Sequence, residues 1–280
     1  MSSHNAQITT LVNNQAVPEL LAEHGLSFWI ESEGLRILFD TGSGETLMEN
    51  AQQLGIPLDK TDVIVLSHGH YDHTGGLAEV LKSAPSARLV MHPNAKISRY
   101  SVHDSEPPRP IGMPPLAQAA IDRRNPSFAI TWSTHAVSLS TTVGVTGPIP
   151  RRSPFEDVGG PFFLDQQGQK EDPLLDDQAL WIRTPRGLVV CVGCCHAGIV
   201  NTLNHVCRLS GVSSVYAVLG GFHLLQANEE RLRLTMNALS DISPEILAPC
   251  HCTGDMAIHT LKETFQERVV PCEAGTEFQF

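Results

Sequence analysis

Ser67-His68-Gly69-His70-Tyr71-Asp72-His73-Thr74-Gly75-Gly76 follows directly on the apolar run Val63-Ile64-Val65-Leu66. Three histidines and an aspartate thus fall within six residues, just past a segment with the length and branching of a buried strand. A strand whose C-terminal end enters a tight loop can aim His68 and His70 at one ion. The next turn then presents Asp72 and His73 to a second ion beside it. Neutral imidazoles with a carboxylate suit zinc, iron or manganese, and two such ions roughly 3.5–4 Å apart clamp and activate a bridging water.

Composition narrows the class. A chain of 280 residues with 41 % hydrophobic and 18 % charged residues can bury a large core, so a single domain over 1–280 is the expectation. The formal charge of −11, with no basic cluster larger than the pairs Arg123-Arg124 and Arg151-Arg152, argues against nucleic acid and for a small-molecule substrate. Met1 to Asn14 has no basic segment followed by an apolar one, and no apolar run is long enough to span a bilayer. A cytoplasmic protein with no membrane partner is therefore expected, with a homodimer allowed. The seven cysteines (191, 194, 195, 207, 250, 252 and 272) are crowded into the last third and read as reduced thiols.

The pattern around the motif alternates strands and helices. Strands are expected at 8–12, 26–31, 35–40, 62–66 and 88–91, with helices at 45–54 and from Leu77. Residues 101–127, carrying Pro107-Pro108-Arg109-Pro110 and Pro114-Pro115, and the acidic stretch 151–177 read as irregular insertions. Two short strands are expected within 128–146. Thereafter a hairpin at 180–184 and 188–192 leads into helix 198–209, strand 214–219, helix 228–240 and strand 246–249. Alternating elements with antiparallel edges fit an α/β four-layer αββα sandwich better than a doubly wound sheet.

Three further histidines, His196, His223 and His251, each sit just past one of these later strands and beside glycine. Strand C-termini of a layered α/β protein converge on one rim, so all three belong near the first cluster. Asp40, at another strand end before Thr41-Gly42, is placed to hold a ligand imidazole in one tautomer. His92 reads as a rim or structural residue. Phe155, Phe162 and Phe163 could line a pocket for a flat substrate.

The motif matches the HxHxDH signature of the metallo-β-lactamase superfamily position for position. The order Leu38-Phe39-Asp40-Thr41-Gly42, the motif itself, Gly193-Cys194-Cys195-His196-Ala197-Gly198, Gly220-Gly221-Phe222-His223 and Pro249-Cys250-His251-Cys252-Thr253-Gly254 resembles the branch named for 7,8-dihydropterin-6-yl-methyl-4-(β-D-ribofuranosyl)aminobenzene 5′-phosphate synthase. The resemblance implies a metallo-β-lactamase sandwich and a dinuclear site with His68, His70, Asp72, His73 and His251 as metal ligands. One or two divalent transition-metal ions are implied, zinc first, with iron or manganese as alternatives. It also implies a metal-dependent hydrolase acting on a small molecule, a pterin or a phosphate compound among the candidates. Asp72 would orient the attacking water, and His223, where ribonuclease Z-like relatives carry a histidine, would be a general acid or substrate anchor. A diiron redox enzyme and a metal-containing ligand-binding protein remain open alternatives.

One departure stands out. Many superfamily members supply a third histidine from a strand between the signature and a bridging Gly-Asp pair. Here Gly193-Cys194 stands where Gly-Asp is expected, and the middle of the chain offers only His103 and His135. His196 is expected to enter the coordination sphere, with Cys194 or Cys195 as the alternative ligand.

Overall fold

A computed structural model describes residues 6–124 and 130–280. The end of the first expected insertion, the start of the 128–146 region and residues 1–5 of the N-terminal segment lie outside the described residues. Two sheets carry the fold. The first has seven strands in the spatial order Glu277–Gln279, Ala6–Val12, Ser27–Ser32, Leu35–Phe39, Val63–Val65, Arg88–Met91 and Ile130–Trp132. The second has six, in the order Ile246–Cys250, Val215–Gly221, Gly187–Val192, Ala179–Thr184, Val143–Val145 and Val137–Ser138.

The layering follows from which faces are apolar. Ile8, Phe28, Ile30, Ile37, Phe39, Val63 and Val65 of the first sheet share one buried cluster with Val143, Leu180, Val189, Ala217 and Leu219 of the second. The two sheets therefore pack face to face. The outer face of the first sheet is covered by helices Leu47–Gln53, Leu77–Ser83 and Pro115–Asp122. That of the second is covered by Ile199–Ser210, Glu229–Ile242 and Asp255–Phe265. Helix, sheet, sheet and helix make the expected four layers.

The motif strand owes its unbroken apolar run to its neighbours. Val63–Val65 pairs in parallel with both Leu35–Phe39 and Arg88–Met91 and is buried on both faces. In the second sheet, Gly187–Val192, Val215–Gly221 and Ile246–Cys250 also run parallel. Their three C-terminal ends open onto one edge, and His196, His223 and His251 lie just beyond them. Helix Ile199–Ser210 turns Ile199, Leu203 and Val206 onto the sheet at helical spacing and stops at Gly211, which takes the left-handed conformation (φ 71°).

The structure corrects the reading of the insertions. The 101–127 stretch contains helix Pro115–Asp122, and the 128–146 region carries three strands among the described residues. Strands Tyr100–Ser101, Arg109–Pro110 and Phe162–Phe163 form a third small sheet, so the two insertions are joined to each other. Buried ion pairs reinforce this. Arg99 Nε lies 2.6 Å from Asp172, and its guanidinium reaches Asp176 at 2.5 and 3.0 Å. Asp176 also accepts the Gly69 N–H at 2.8 Å, which ties the acidic stretch to the histidine loop.

Candidate metal centre

The site can be built one ring nitrogen at a time. Asp40, on a strand end with positive φ, accepts the Ser67 N–H at 2.7 Å and the Ser67 hydroxyl proton at 2.6 Å. Ser67 Oγ, having donated to Asp40, must accept from His68 Nδ1 at 2.9 Å. The lone pair of neutral His68 is thereby fixed on Nε2, which lies 3.0 Å from His70 Nδ1. His196 is set in the same sense, because its Nδ1 donates to the Val158 carbonyl at 3.0 Å and leaves Nε2 facing His70 Nδ1 at 3.2 Å. Burial holds the His68, His70 and His196 rings well below the ordinary histidine range, so all three are neutral donors of electron pairs.

A second set lies alongside. His73 Nδ1 donates to Asp40 Oδ2 at 2.7 Å, and His251 Nδ1 donates to Asn14 Oδ1 at 2.8 Å. Both Nε2 atoms consequently carry lone pairs, and they face each other at 3.2 Å. Asp72 Oδ2 adds negative charge 3.3 Å from His251 Nε2 and 3.7 Å from His73 Nε2, with His24 Nε2 at 3.2 Å on its other side. Burial pushes Asp72 upward, yet His73, His24 and His251 hold its carboxyl well below the usual range. Cys194 Sγ sits 3.1 Å from His73 Nε2 and belongs both to the Asp72, His73, His251 set and to a set with His68 and His196.

The donor chemistry fits divalent cations. Opposed lone pairs repel unless a positive charge sits between them. With protein atoms alone that charge is a proton on His73, which burial resists but Asp40 and Asp72 favour, raising its pKa to about 9. A metal ion would supply the same charge at both sets. Nitrogens 3.0–3.2 Å apart match the roughly 3.3 Å edge of a tetrahedral ion with bonds of about 2.0–2.1 Å.

Close approach of three loops makes the site. A Cβ on Gly193 would meet Ser67 Oγ at 2.1 Å, so only glycine lets the Cys194 loop lie this near the histidine motif. Gly159 (φ 83°) would drive a Cβ to 1.9 Å from the His223 ring, whose Nε2 is instead held by the Gly159 carbonyl at 3.2 Å. Asp40, Cys195, His223 and His251 all have positive φ, so four of the eight such non-glycine residues among those described surround this centre. A cavity of about 220 Å³ opens above it. Phe162 forms one wall, its ring centroid 5.3 Å from those of His70 and His196 and 6.0 Å from that of His223.

Every ligand proposed from the sequence is brought to this centre, and His223 stands on its wall. His196 joins His68 and His70 as their third ring, whereas Cys194 holds the position shared between the sets. Both candidates thus lie at the centre. Cys195 is turned away, its sulfur 3.2 Å from Thr202 Oγ1. His92 accepts the Asn94 N–H at 3.1 Å, a local cap, and among the three phenylalanines only Phe162 lines the cavity. His24, Asn14 and Cys252 were not singled out as site residues. A histidine preceding Gly25 at the start of a strand was the one available signal.

Comparison with known proteins agrees with this geometry. The sequence profile described as Metallo-beta-lactamase superfamily matches residues 21–199. The 7,8-dihydropterin-6-methyl-4-(beta-D-ribofuranosyl)-aminobenzene-5'-phosphate synthase of Methanocaldococcus jannaschii is 32 % identical, over 99 % of this chain and 97 % of its own. The crystal structure of Tm1679, a metal-dependent hydrolase of the beta-lactamase superfamily, matches with TM-score 0.81 and 29 % identity, covering 98 % of each chain. A diphosphatase from the PhnP family shares the fold at TM-score 0.56 and 13 % identity, covering 99 % of this chain and 97 % of that one. Among the described residues, no helix is long and apolar enough to cross a membrane.

Proposed function

The chain belongs to the metallo-β-lactamase superfamily, and from that premise we propose that it is a metal-dependent hydrolase of a small, anionic, ring-bearing molecule, acting in the cytoplasm as one domain over 1–280. The observation that carries the reading is the convergence of His68 Nε2, His70 Nδ1 and His196 Nε2 beside Asp72, His73 and His251, around one shared cysteine, under a cavity. These residues would hold one or two divalent ions, zinc first and iron or manganese next. When bound, such ions lower the pKa of water and polarise an electrophile.

The chain's own groups do the rest. Asp72 accepts a hydrogen bond from the attacking water and fixes its direction. Asp40 keeps His73 and, through Ser67, His68 in the tautomers that leave Nε2 free. His223, whose Nε2–H is committed to the Gly159 carbonyl, gives the leaving group a proton from Nδ1 when the ring is the imidazolium and anchors substrate through the Nδ1 lone pair when it is neutral. Phe162 offers an apolar face to a flat ring. The rim supports an anionic group: Arg109 lies over the Tyr71 ring at 6.0 Å, next to Ser101 and His103 in the cavity lining. The likeness to the pterin-phosphate synthase favours a phosphate compound, and also keeps bond formation at the same centre as a second reading.

The test is turnover of a panel of small phosphate and carboxylic esters by metal-stripped and metal-restored protein. Hydrolysis that returns with the metal is expected. A metal-replete protein that cleaves no member of the panel would contradict the hydrolytic reading.

A further inference from the structure

All seven cysteines are free, but they are not equivalent. Cys191, Cys250 and Cys272 are buried in the core between the two sheets, Cys195 is hydrogen-bonded to Thr202, and Cys207 lies on a distant helix. Cys194 and Cys252 alone line the cavity. Their sulfurs and a His223 ring nitrogen all lie within 4.8 Å of one another. The Cys252 thiol also points at the Cys194 carbonyl, 3.5 Å away.

Gly221 explains the closeness. It lies on the strand between the two, bonded through its N–H to the Gly193 carbonyl and in register with Cys250. A Cβ there would fall 2.5 Å from Cys252 Sγ and 3.4 Å from Cys194 Cα. The bare glycine lets the two thiols meet over the middle strand. Cys252 sits in the short 3₁₀ turn His251–Thr253, flanked by positive φ at His251 and Gly254, and its sulfur lies within 4.8 Å of that of Cys194, the gap that must close to the roughly 2.05 Å of a disulfide.

We propose that Cys194 and Cys252 are a redox pair that forms a reversible disulfide on the floor of the cavity. A peroxide entering the cavity oxidises one thiol to a sulfenic acid with release of water. The second thiol then attacks that sulfur, the S–S bond forms and a second water leaves, so that two electrons and two protons pass from the thiols to the peroxide. A dithiol reverses the step by exchange. Because Cys194 belongs to both ligand sets, the disulfide removes the shared sulfur from each. Oxidation therefore releases metal, whatever reaction the centre catalyses.

The experiment treats full-length, metal-replete protein with hydrogen peroxide, blocks the remaining thiols with N-ethylmaleimide and maps the digested peptides by mass spectrometry. The expected result is loss of two alkylatable thiols per chain and a cross-linked peptide joining Cys194 to Cys252. Dithiothreitol should reverse the cross-link, and a chelating dye should report metal release in step with it. Cys252→Ser should abolish that cross-link. Wild-type protein in which Cys252 is recovered alkylated, is carried straight to sulfinic acid, or is replaced in the cross-link by Cys250 with Cys272 would overturn the proposal; this outcome needs no variant.

Discussion

The two ligand sets differ in what stands behind them. His68 and His196 lean on neutral acceptors, a serine hydroxyl and a backbone carbonyl, and the set they form with His70 consists of uncharged rings. His73 leans directly on the Asp40 carboxylate, and Asp72 brings a second negative charge into its set. Two sites built side by side are thus electrostatically unequal. The first attracts a cation by lone pairs alone, whereas the second would attract a proton as well as a metal. Asp40 braces both, His73 directly and His68 through Ser67.

The sharpest way to break the comparison is to empty one side. Changing His68 and His70 together to alanine removes two of three nitrogens from the neutral set, so elemental analysis should show about one metal equivalent lost and turnover should vanish. Unchanged metal content would refute the assignment. His223→Ala, by contrast, should leave metal content intact while lowering turnover on the order of 10²–10⁴-fold for a substrate whose leaving group needs a proton. A His223→Ala protein that loses metal would make this ring a ligand instead.

Asp40→Asn sharpens the inequality. Asp40 accepts from Ser67 N–H on one oxygen and from Ser67 Oγ and His73 Nδ1 on the other. Either orientation of the amide sets an N–H against a donor, which displaces Ser67 or forces His73 into the tautomer with no lone pair at Nε2. Metal affinity should fall about 10–100-fold, more at the His73 side, as measured by competition with a chromophoric chelator. Equal weakening at both sides would mean that the two sets are not distinct.

The smallest effect concerns Asp177, which accepts the Ala197 N–H beside His196 at 2.7 Å. Burial pushes its pKa up to about 7 from 3.8. The folded chain therefore holds a proton that the unfolded chain has released across that window, and stability falls as pH rises through it. Between about pH 6 and pH 8 this group should cost about 1.4 kcal/mol. Asp177→Asn should remove that slope in denaturant titrations at the two pH values, and an unchanged slope would place the pKa elsewhere.

Much of this was legible because it is local. The histidine motif sits within six residues, and the strand before it announces itself by an unbroken apolar run. The later histidines were found because each follows a strand, and parallel strands end together. What escaped depends on the approach of distant segments. His196 was expected at the centre, but which rings it joins, and that Cys194 lies between the sets, is decided across 126 residues by glycine-thin contacts such as Gly193 on Ser67. His24 arrives from a loop whose one signal is the glycine that follows it, ahead of the strand Ser27–Ser32. The acidic stretch 151–177 read as an irregular insertion, yet Asp172 and Asp176 are buried on Arg99, a pairing that charge composition alone does not reveal.

The central claim is that His68, His70 and His196 form one metal site beside a second, with Cys194 between them. Anomalous scattering from a crystal of the metal-replete protein, collected at the absorption edge of the bound metal, tests it most directly. The account predicts a peak about 2.0–2.1 Å from His68 Nε2, His70 Nδ1 and His196 Nε2, and Cys194 Sγ about 2.3 Å from a metal. Metal peaks that all lie more than about 4 Å from the His196 ring nitrogens would contradict it.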